Sequence, residues 1–515
     1  MFWWGAGPGP WDSHHVYTRR EAPVSGGAFS GALGWVSSGA MRIDVARVLE
    51  RHPFVGEILE RLSRAGHQTV LVGGVVRDGI IAQLRGEAFS PHDVDIATSA
   101  SPEEVKRLFR DRPVLSVGEA FGVVIVVAPD GSRYEVATFR SEHGYSDGRR
   151  PDRVTWTSLE EDLRRRDFTV NGLAARPDGE VIDVVGGIAD IRAGVIRTIG
   201  DPRDRFSEDY LRLLRAVRFA CQLGFSIEPR TAAAIKENSE RISGVAWERI
   251  REELVRMFSS PRAARGIELM DELGLLPRIL PEIAALKGVP QDPQYHPEGD
   301  VFVHTVLALK VADELGLSPL VKLGVLFHDV GKPEAWRRSG GEHTGGHEVV
   351  GERLAREALR RLRFPTREIE HVGFLVREHM RVGRLAEMGL GKQVRLLARG
   401  EDERAPLDDF VARFPLFSDL LRLFICDAEA SAHRDSAWLP LLSHVVRLHL
   451  HVLRVQGLKR ARELINGHDL IALGEKPGPR LGRVLSEVQE RILAGEIGSR
   501  EEALELARRL LGGQK

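Results

Sequence analysis

The sequence predicts an α/β domain towards the N-terminus, followed by helical domains that continue to the C-terminus. Between about residues 66 and 200, short apolar runs of strand length alternate with helical patterns. From about residue 201 onward, apolar residues recur with the period of an α-helix, and strand-like runs stop. A chain of 515 residues is too long for one hydrophobic core, so we expect two to four domains.

The composition is that of an ordinary globular protein, with 43% hydrophobic and 29% charged residues. The formal net charge is −1, so a nucleic-acid surface would be a local patch and not a field over the whole molecule. Two cysteines, Cys221 and Cys426, are too few for a disulfide framework or a cysteine-based zinc site and fit a reducing compartment. No apolar run approaches the length of a membrane span. We therefore expect a cytoplasmic protein with no membrane partner.

Residues 1–40 are predicted to be an N-terminal extension outside the fold. They are rich in Gly, Pro and Ser, show no periodicity, and lack the basic start and apolar core of a signal peptide. We expect either that these residues are disordered or that translation starts at Met41, which precedes the first helical pattern.

The first functional signal is a strand that ends in two glycines. The apolar run at residues 70–72 leads into Gly73 and Gly74, and a helical pattern begins at Arg77 and Asp78. Glycines at this position let backbone N–H groups approach a phosphate without an intervening Cβ. Taken alone, a Gly-Gly pair is usually only a turn.

The second signal is a pair of aspartates about twenty residues later, Asp93 and Asp95. Side chains of a strand alternate between its faces, so these two carboxylates point the same way. Two carboxylates facing a phosphate cradle can hold divalent cations against a triphosphate. An isolated Asp-x-Asp is usually a solvated loop, but both signals in this order are much less expected by chance.

The stretch at residues 69–97 resembles the head motif of the class II tRNA nucleotidyltransferase and bacterial poly(A) polymerase family. The resemblance implies an α/β nucleotidyltransferase head of the polymerase-β-like type. It also implies that Asp93 and Asp95 are catalytic and bind Mg²⁺. The residues that it assigns to nucleotide binding here are Gly73, Gly74 and Arg77.

A strand, a turn and a second strand are predicted over residues 121–139. Glu135 in the second strand could project onto the face of the aspartates as a third acid. The alternative is that Glu135 is simply an exposed strand residue. Residues 141–151 are polar, contain glycine and two arginines, and are predicted to form a mobile loop.

The next helical segment ends in Arg166, Asp167 and, four residues later, Asn171. A basic run on a helix is by itself typical of a solvated face. These residues match the family's Arg-Arg-Asp-x-x-x-Asn motif, which is implied to hold the triphosphate and the ribose hydroxyls. Gly172 replaces the Ala that most relatives carry after the Asn. Residues 181–190 resemble the hinge motif that joins the head to the neck.

Residues 206–220 are predicted to form one continuous helix, with Ser207 as the candidate N-cap. Its charged residues at helical spacing are Asp209, Arg212 and, less closely, Arg215 and Arg218. Alone, this pattern is typical of a solvated helix face. It also matches the family's Glu-Asp-x-x-Arg motif, whose Asp and Arg are implied to read the incoming base, and we assign all four residues to nucleotide binding.

The hydrogen-bonding groups of the bases agree with recognition by an Asp and an Arg side chain. Cytosine and adenine both present an amino donor beside a ring-nitrogen acceptor, which suit a carboxylate and a guanidinium respectively. Uracil and guanine present the reverse pattern, a carbonyl beside a ring N–H. One Asp-Arg pair can therefore admit C and A and reject U and G without a nucleic-acid template.

A second constellation of metal-ligand residues occupies residues 291–440. A single buried histidine is more often a satisfied core residue than a ligand. Six ligand-type residues without cysteine instead indicate an oxygen-and-imidazole site for Mg, Mn, Fe or Ni. Their order resembles the HD phosphohydrolase domain, and the matching residues are His304, His328, Asp329, His347, His379 and Asp427. For His347 and His379, the nearby His343 and His371 are rival matches.

The C-terminal part is helical, and its loop motifs resemble the tails of bacterial HD-bearing tRNA nucleotidyltransferases. Lys459, Arg460 and Arg462 could contact phosphates, although a solvated basic face is an equal alternative. The resemblance covers about residues 45–515. The predicted division is an extension (1–40), a head (41–200), a helical neck that binds RNA and nucleobase (201–290), an HD domain (291–440) and a tail (441–515).

The resemblance implies template-free addition of C and A to the 3′ end of tRNA, with tRNA, CTP and ATP as partners and an additional metal-dependent HD phosphohydrolase site. An enzyme of the same family that adds only CC, only A, or poly(A) is the first alternative. A second is an HD phosphohydrolase whose head binds nucleotide without polymerising it. A third is a non-catalytic RNA-binding protein, which the complete set of acids disfavours.

Overall fold

The computed structural model describes residues 41–89, 91, 93–118, 121–144, 153–294, 296–406, 409–431, 438–455 and 457–512. The N-terminal extension and most of the predicted loop at residues 141–151 lie outside the described residues. The strands are β1 (Thr69–Val72), β2 (Asp95–Thr98), β3 (Val114–Gly118), β4 (Val123–Val127), β5 (Arg133–Thr138), β6 (Arg140–His143), β7 (Arg153–Trp156), β8 (Leu173–Ala175), β9 (Val181–Asp183), β10 (Val195–Ile196) and β11 (Ser226–Ile227).

The helices outnumber the strands and dominate the chain after the head. Those before residue 290 are α1 (Val45–Arg51), α2 (Pro53–Arg64), α3 (Gly74–Arg85), α4 (Pro102–Leu108), α5 (Leu159–Arg164), α6 (Gly187–Ala193), α7 (Pro202–Glu208), α8 (Leu211–Leu223), α9 (Pro229–Asn238), α10 (Trp247–Phe258), α11 (Ala263–Glu272), α12 (Leu276–Ile279) and α13 (Pro281–Ala284).

The later helices run to the C-terminal end of the described chain. They are α14 (Val301–Glu314), α15 (Pro319–Phe327), α16 (Lys332–Arg338), α17 (His347–Arg361), α18 (Thr366–Gly383), α19 (Leu390–Leu397), α20 (Phe410–Arg413), α21 (Pro415–Ala430), α22 (Trp438–Val455), α23 (Gly457–Leu464), α24 (Gly467–Ala472), α25 (Pro479–Leu493) and α26 (Arg500–Gly512). In the described ranges, none of them is long and apolar enough to cross a bilayer.

The head is built on a mixed seven-stranded sheet with the order β3-β4-β5-β2-β1-β8-β9. All four residues of β1 are buried, as the apolar run predicts, and β1 pairs antiparallel with both β2 and β8. β2 pairs parallel with β5, which places the start of these two strands at the same edge of the sheet. One face packs against helix α5 through a cluster of buried residues, Val70, Val72, Ala97, Phe139, Leu159, Leu163 and Ala174. The predicted α/β head followed by helical parts is confirmed.

Three details differ from the sequence prediction. Helix α3 begins at Gly74, one turn before Arg77, because Gly73 turns the chain with a φ of 72°. The short strand β11, which pairs parallel with β10, lies beyond the point where strands were expected to end. Residues 140–143 form β6, which pairs antiparallel with β7, so the first residues of the predicted loop lie in a strand.

The predicted continuous helix at residues 206–220 is wrong, because the chain breaks it at Asp209. Helix α7 ends at Glu208, Asp209 is extended with φ −152° and ψ 106°, and α8 starts at Leu211. The Asp209 carboxylate accepts the Leu211 N–H at 3.0 Å, which satisfies a free donor at the start of α8. Ser207 is not an N-cap, since it lies inside α7 and its hydroxyl donates to the carbonyl of Asp204.

Helices α14, α15, α17, α18 and α21 pack against one another and form a helical core of their own. A buried lysine joins this core to the neck. Lys322 on α15 is 2% exposed, lies 2.7 Å from Asp313 Oδ1 and donates to the carbonyl of Ser260 at 2.7 Å. The other Asp313 oxygen accepts the N–H of Ala264 at 2.9 Å. One buried ion pair therefore ties the neck to two helices of the second core.

We expect Lys322→Met to destabilise the protein by about 3–5 kcal/mol, because it leaves the Asp313 carboxylate buried without a counter-charge. Lys310→Met is the matched control, since Lys310 forms a partly exposed pair with Glu268 and its loss should cost less than about 1 kcal/mol. Urea unfolding followed by helical circular dichroism measures both. Equal stabilities for the two variants would contradict the structural role of Lys322.

Candidate functional sites

The first site lies where β1 ends and β2 begins. Asp95 is the first residue of β2, Asp93 precedes it, and both are exposed. A Cβ on Gly73 would lie 3.7 Å from Asp95 Oδ2 and 3.4 Å from Arg166 Nη1. The positive φ of Gly73 explains why glycine stands at the end of β1, whereas these distances would be ordinary contacts for a Cβ. The structure thus brings Gly73, Asp95 and Arg166 together.

Glu135 adds a third carboxylate to this edge of the sheet. It pairs directly with Asp95 in the parallel β2–β5 ladder, so both side chains project from the same face. Partial burial raises the pKa of Glu135, and the charges of Asp95 and Asp93 raise it further. The geometry therefore favours the interpretation of Glu135 as a third acid of this edge over that of a simple exposed strand residue.

The pKa of Asp95 is also raised, first by desolvation on its protein side and then by Asp93, while Arg166 opposes the shift. Among the described residues, the ligand atoms of these three acids do not all lie within 4.8 Å of one another. Carboxylates that repel one another across an open edge are a donor set suited to a hard divalent cation.

Arg166 presents a guanidinium to the acidic edge. Its Nη2 donates to Asp162 at 3.3 Å, whereas its Nε is buried and has no hydrogen-bond partner among the described residues. A buried donor without a partner is costly, and an anionic ligand would satisfy it.

Asp167, by contrast, points into the protein. One oxygen accepts N–H groups of Phe168 and Asn171 at 2.8 and 3.1 Å. The other accepts Arg215 Nε and Nη2 at 2.9 and 2.6 Å. Burial disfavours the charge, but Arg215 and then Arg212 outweigh it and hold the pKa of Asp167 well below its usual range. The side chain of Asp167 is thus a buried anchor beside the site.

Asn171 continues the same network, because its Oδ1 accepts Arg77 Nη1 at 2.7 Å. Arg77 also donates from Nε to Asp78 at 2.8 Å. Three of the sequence-predicted residues, Arg77, Asp167 and Asn171, are therefore joined in one chain of hydrogen bonds from α3 to the neck.

Phe219 and Glu253 complete the joint between head and neck. The guanidiniums of Arg218, Arg77 and Arg215 lie 3.8, 5.3 and 5.4 Å from the Phe219 ring centre. Glu253 of α10 lies 2.5 Å from Arg218 Nε and 3.6 Å from Arg215 Nη1. Burial lowers the pKa of Arg218 to about 10 although Glu253 opposes the shift. In this structure Arg215 and Arg218 are held by buried carboxylates.

The Asp209 and Arg212 side chains do not form the helical pair that their spacing predicts. Asp209 instead forms a two-point salt bridge with Arg249, at 2.7 and 3.2 Å. Arg212 Nη1 donates to Glu208 and to the carbonyl of Arg205. Arg249 and Glu253 were missed by the sequence reasoning, although they lie four residues apart on one amphipathic helix and so share a face.

The second site gathers all six predicted ligand residues on the second helical core. They are His304 on α14, His328 and Asp329 at the end of α15, His347 at the start of α17, His379 on α18 and Asp427 on α21. His304 Nε2 lies 2.9 Å from Asp427 Oδ1, and His347 Nε2 lies 3.3 Å from Asp329 Oδ1. Among the rival histidines, His371 pairs with Asp419 at 3.0 Å, and His343 is exposed.

The orientation of the imidazoles fits a metal ion. Nδ1 of His328, His347 and His379 lies 2.7–3.0 Å from the carbonyls of Val325, Thr344 and Val376. A carbonyl only accepts, so Nδ1 carries a proton, and Nε2 presents a lone pair when the ring is neutral. Burial disfavours the charged form of His328, but Asp329 and Asp427 raise its pKa to about 9, so a metal ion would displace the Nε2 proton of that ring. The Nε2 atoms of His347 and His379 face each other at 3.2 Å, an unfavourable contact that a cation between them would relieve.

Two further observations agree with a metal. Burial and the neighbouring His328 and His347 lower the pKa of His379 to about 3, which keeps that ring neutral and able to ligate. His328 Nε2 is buried and has no hydrogen-bond partner of good geometry. The described residues include two groups of possible ligands here, His304 with His328 and Asp427, and Asp329 with His347 and His379.

A cavity of about 740 Å³ opens beside these ligands and is bordered by Lys332, Trp336 and Phe424. Lys332 Nζ lies 2.6 Å from Asp329 Oδ2 and donates to Gln291 at 2.7 Å. The second site thus combines buried imidazole and carboxylate ligands with space for a small organic anion.

Four family models match successive parts of the chain. They are described as "Poly A polymerase head domain" (residues 69–197), "Probable RNA and SrmB- binding site of polymerase A" (224–287), "HD domain" (301–409) and "tRNA nucleotidyltransferase domain 2 putative" (451–507).

Curated relatives and solved structures agree with these models. The chain is 45% identical over 228 residues to the CCA-adding enzyme of Latilactobacillus sakei, covering 44% of this chain and 55% of the relative. It is 46% identical over 213 residues to the CCA-adding enzyme of Leuconostoc mesenteroides, covering 41% and 51%. The chain thus spans about half the length of these two relatives.

The crystal structure of the Bacillus stearothermophilus CCA-adding enzyme in complex with CTP is similar to this structure. The TM-score is 0.59 at 26% identity, with 89% of this chain and 97% of that chain covered. These matches confirm the resemblance read from the sequence motifs. The chain carries a poly(A) polymerase head domain and an HD domain, and it is similar to CCA-adding enzymes.

Proposed function

We propose that this protein adds C and A to the 3′ end of tRNA from CTP and ATP without a template. The observation that carries the proposal is the acidic edge of Asp93, Asp95 and Glu135, with Gly73 and Arg166 beside it. The names of the two curated relatives, and the CTP in the similar crystal structure, support these substrates.

In this mechanism, Asp93 and Asp95 hold the metals, for which we propose Mg²⁺. Bound divalent ions lower the pKa of the RNA 3′-hydroxyl and neutralise charge on the departing pyrophosphate. Arg166 donates its unpartnered Nε and its outer nitrogens to the triphosphate. Gly73 puts no side chain between the turn and the phosphates, although its own N–H donates to the carbonyl of Leu173 at 3.2 Å. The hydrogen bond from Arg77 to Asn171 holds α3 to the segment that carries Asp167, and Arg215 joins that carboxylate to the neck.

We propose that Asp209 and Arg212 read the base, although their present partners differ from the predicted arrangement. Each carboxylate oxygen has two lone pairs, so Asp209 can accept an amino hydrogen while Arg249 still holds it. Arg249 then fixes the orientation of the carboxylate, and Arg212 turns from Glu208 towards the ring nitrogen. The break between α7 and α8 leaves Asp209 on extended backbone beside the head.

Within the same family, activities restricted to CC, to A or to poly(A) remain the alternatives. The predicted loop at residues 141–151, which would bear on this choice, lies mostly outside the described residues. A head that only binds nucleotide is disfavoured by the complete acidic edge.

We propose a second activity at the HD site, the metal-dependent hydrolysis of a phosphomonoester or a 2′,3′-cyclic phosphate. The facing Nε2 atoms of His347 and His379 are the observation that favours it. The ion, which we expect to be Mg²⁺, Mn²⁺, Fe²⁺ or Ni²⁺, supplies Lewis-acid activation of water and phosphate. The ligands would be His304, His328, Asp329, His347, His379 and Asp427. Lys332, at the cavity wall, is placed to bind the phosphate charge.

We propose the domain limits given by the sequence, a head at 41–200, a neck at 201–290, an HD domain at 291–440 and a tail at 441–515. A cytoplasmic location accords with the two free, buried cysteines.

Sequencing the products formed on tRNA that ends before C, after C and after CC tests the main proposal. With CTP and ATP, we expect each substrate to be completed to CCA. Asp93→Ala and Asp95→Ala should each lower the rate by at least about a thousand-fold without unfolding the head, because their side chains are exposed. Asp130→Ala, in an exposed turn, is the control. Addition near the parent rate by either site variant would contradict the assignment.

The base reader is tested by relative kcat/KM for the four nucleoside triphosphates. With UTP, the carboxylate would face a carbonyl and the guanidinium a ring N–H. Each unpaired buried group costs about 1–3 kcal/mol, so two failures give about 3–5 kcal/mol, or about a hundred- to a few thousand-fold discrimination. Arg212→Ala should lose most activity with both correct nucleotides.

The exchange of Asp209→Arg with Arg212→Asp should move the preference towards UTP and GTP. Because Asp209 pairs with Arg249, the exchange is made together with Arg249→Glu to keep opposite charges in contact. If the Asp209→Ala and Arg212→Ala variants keep the parent's full preference for CTP and ATP, the base is read by other residues.

For the HD site, we expect His328→Ala and Asp329→Ala to abolish metal-dependent hydrolysis and to leave nucleotide addition intact. His371→Ala is the control, since His371 pairs with Asp419 outside the ligand cluster. Metal analysis of the purified protein and assays with each candidate ion provide the measurement. If the purified protein holds no metal ion and none of the candidate ions confers phosphoester hydrolysis, the HD site has no catalytic function.

A further inference from the structure

The histidines of the HD site are oriented in two different ways. His328, His347 and His379 each direct Nδ1 to the backbone carbonyl three residues earlier in their own segment. His304 directs its Nδ1 to a side-chain carboxylate, that of Glu298, at 2.8 Å. Among the described ligand histidines, His304 alone therefore has an anionic hydrogen-bond partner outside the ligand set.

Local structure places Glu298 under the first turns of α14. Gly299 adopts a φ of 130°, which favours glycine, and Asp300 caps the helix by accepting the Val303 N–H at 2.9 Å. Asp300 also accepts the Gly288 N–H at 2.6 Å, which anchors the segment to the preceding loop. The turn thus fixes Glu298 against His304 on the face of α14 that carries the site.

The same oxygen of Glu298 also receives His296. His296 Nδ1 lies 2.9 Å from Glu298 Oε1, and the His296 and His304 rings meet nearly edge to face at 4.8 Å. His296 borders the cavity of the HD site. Glu298 Oε2 is buried without a partner, so its other oxygen carries both contacts.

His296, Glu298 and His304 could themselves be taken for a metal site, since their ligand atoms lie within 4.8 Å of one another. Such an ion would need Nδ1 of His304 as a ligand while Nε2 faces Asp427 at 2.9 Å. The Nε2–H could still donate to Asp427, but Nε2 could ligate the central ion as well only if the ring lost both protons. A hydrogen bond from Nδ1–H to Glu298 leaves Nε2 free for the central ion and requires no such loss.

We propose that Glu298 is a positioning residue of the HD metal site, which makes His304 a stronger ligand and holds His296 at the cavity wall. This proposal rests on the proposed metal-dependent function of that site. A carboxylate that accepts from a ligand imidazole fixes its tautomer and raises its basicity, and loss of such a partner typically weakens metal binding 10- to 100-fold.

The test is a Co²⁺ titration of the chelator-treated full-length protein, followed by visible absorption and by competition with a chromophoric chelator. Glu298→Ala should bind Co²⁺ about 10- to 100-fold more weakly than the parent. Glu298→Gln keeps the size and an acceptor but not the charge, so its loss should be smaller. Glu342→Gln, at an exposed residue on the rim of the same cavity, is the charge-matched control and should bind like the parent.

A double-mutant cycle separates positioning from a general structural role. In a His304→Ala background, Glu298→Ala should have no further effect on Co²⁺ affinity, because its influence passes through His304. Nucleotide addition and the circular dichroism of each metal-free variant report whether the fold is intact.

The outcomes distinguish the two proposals. If the parent binds no Co²⁺ or other divalent ion, the metal-dependent function of the HD site fails. If the parent binds Co²⁺, and the correctly folded Glu298→Ala and Glu298→Gln variants bind it as tightly as the parent, the role of Glu298 is refuted while the metal site stands. An equal effect of Glu298→Ala with and without His304 also refutes it.

Discussion

The buried carboxylate of Asp167 is the contact on which the joint between head and neck depends. An ionised carboxylate costs several kcal/mol to bury without partners. Here Phe168 and Asn171 satisfy one oxygen and Arg215 satisfies the other. Asn171 in turn receives Arg77 from α3, so one charge aligns a strand-to-helix turn of the head with a helix of the neck. A nucleotide site that draws on both domains needs this alignment, because displacements of about 1 Å are costly to catalysis.

The elements whose signals are local could be predicted from the sequence. The apolar run, the glycine turn and the Asp-x-Asp pattern predicted an acidic edge, because each is a local signal, but Asp93 precedes β2, so strand alternation does not set the direction of its side chain. The break at Asp209 could not be predicted in this way, since the apolar residues Phe206, Leu211 and Leu214 continue a helical pattern across it. A carboxylate that caps the next helix and pairs with Arg249 ends α7, and that partner is forty residues away.

A similar limit applies to the second site. The order of His and Asp residues predicted the cluster, but spacing could not separate His347 from His343 or His379 from His371. Packing decides between them, because His347 and His379 are buried with their Nε2 atoms in contact. Glu298 was not predicted at all, since a carboxylate that acts through a hydrogen bond leaves no ligand pattern in the sequence. The buried ion pair of Lys322 and Asp313, which joins the neck to this helical core, could not be predicted from the net charge of the chain either.

The parallel pairing of β2 with β5 has a consequence for how the protein folds as it is synthesised. Asp95 and Glu135 become neighbours only after the segment of about forty residues that separates them has been synthesised and β5 has paired with β2. Strand β1 gains its second neighbour only when β8, about a hundred residues later, pairs with it. Such long-range pairings form late, because chain closure must be achieved before their contacts are gained. A ribosome-bound fragment that ends before β5 therefore has the glycine turn and the aspartates but lacks the third acid of the edge, and one that ends before β8 leaves one side of β1 unpaired. The third acid therefore joins the edge only after the chain from β1 to β5 has been synthesised.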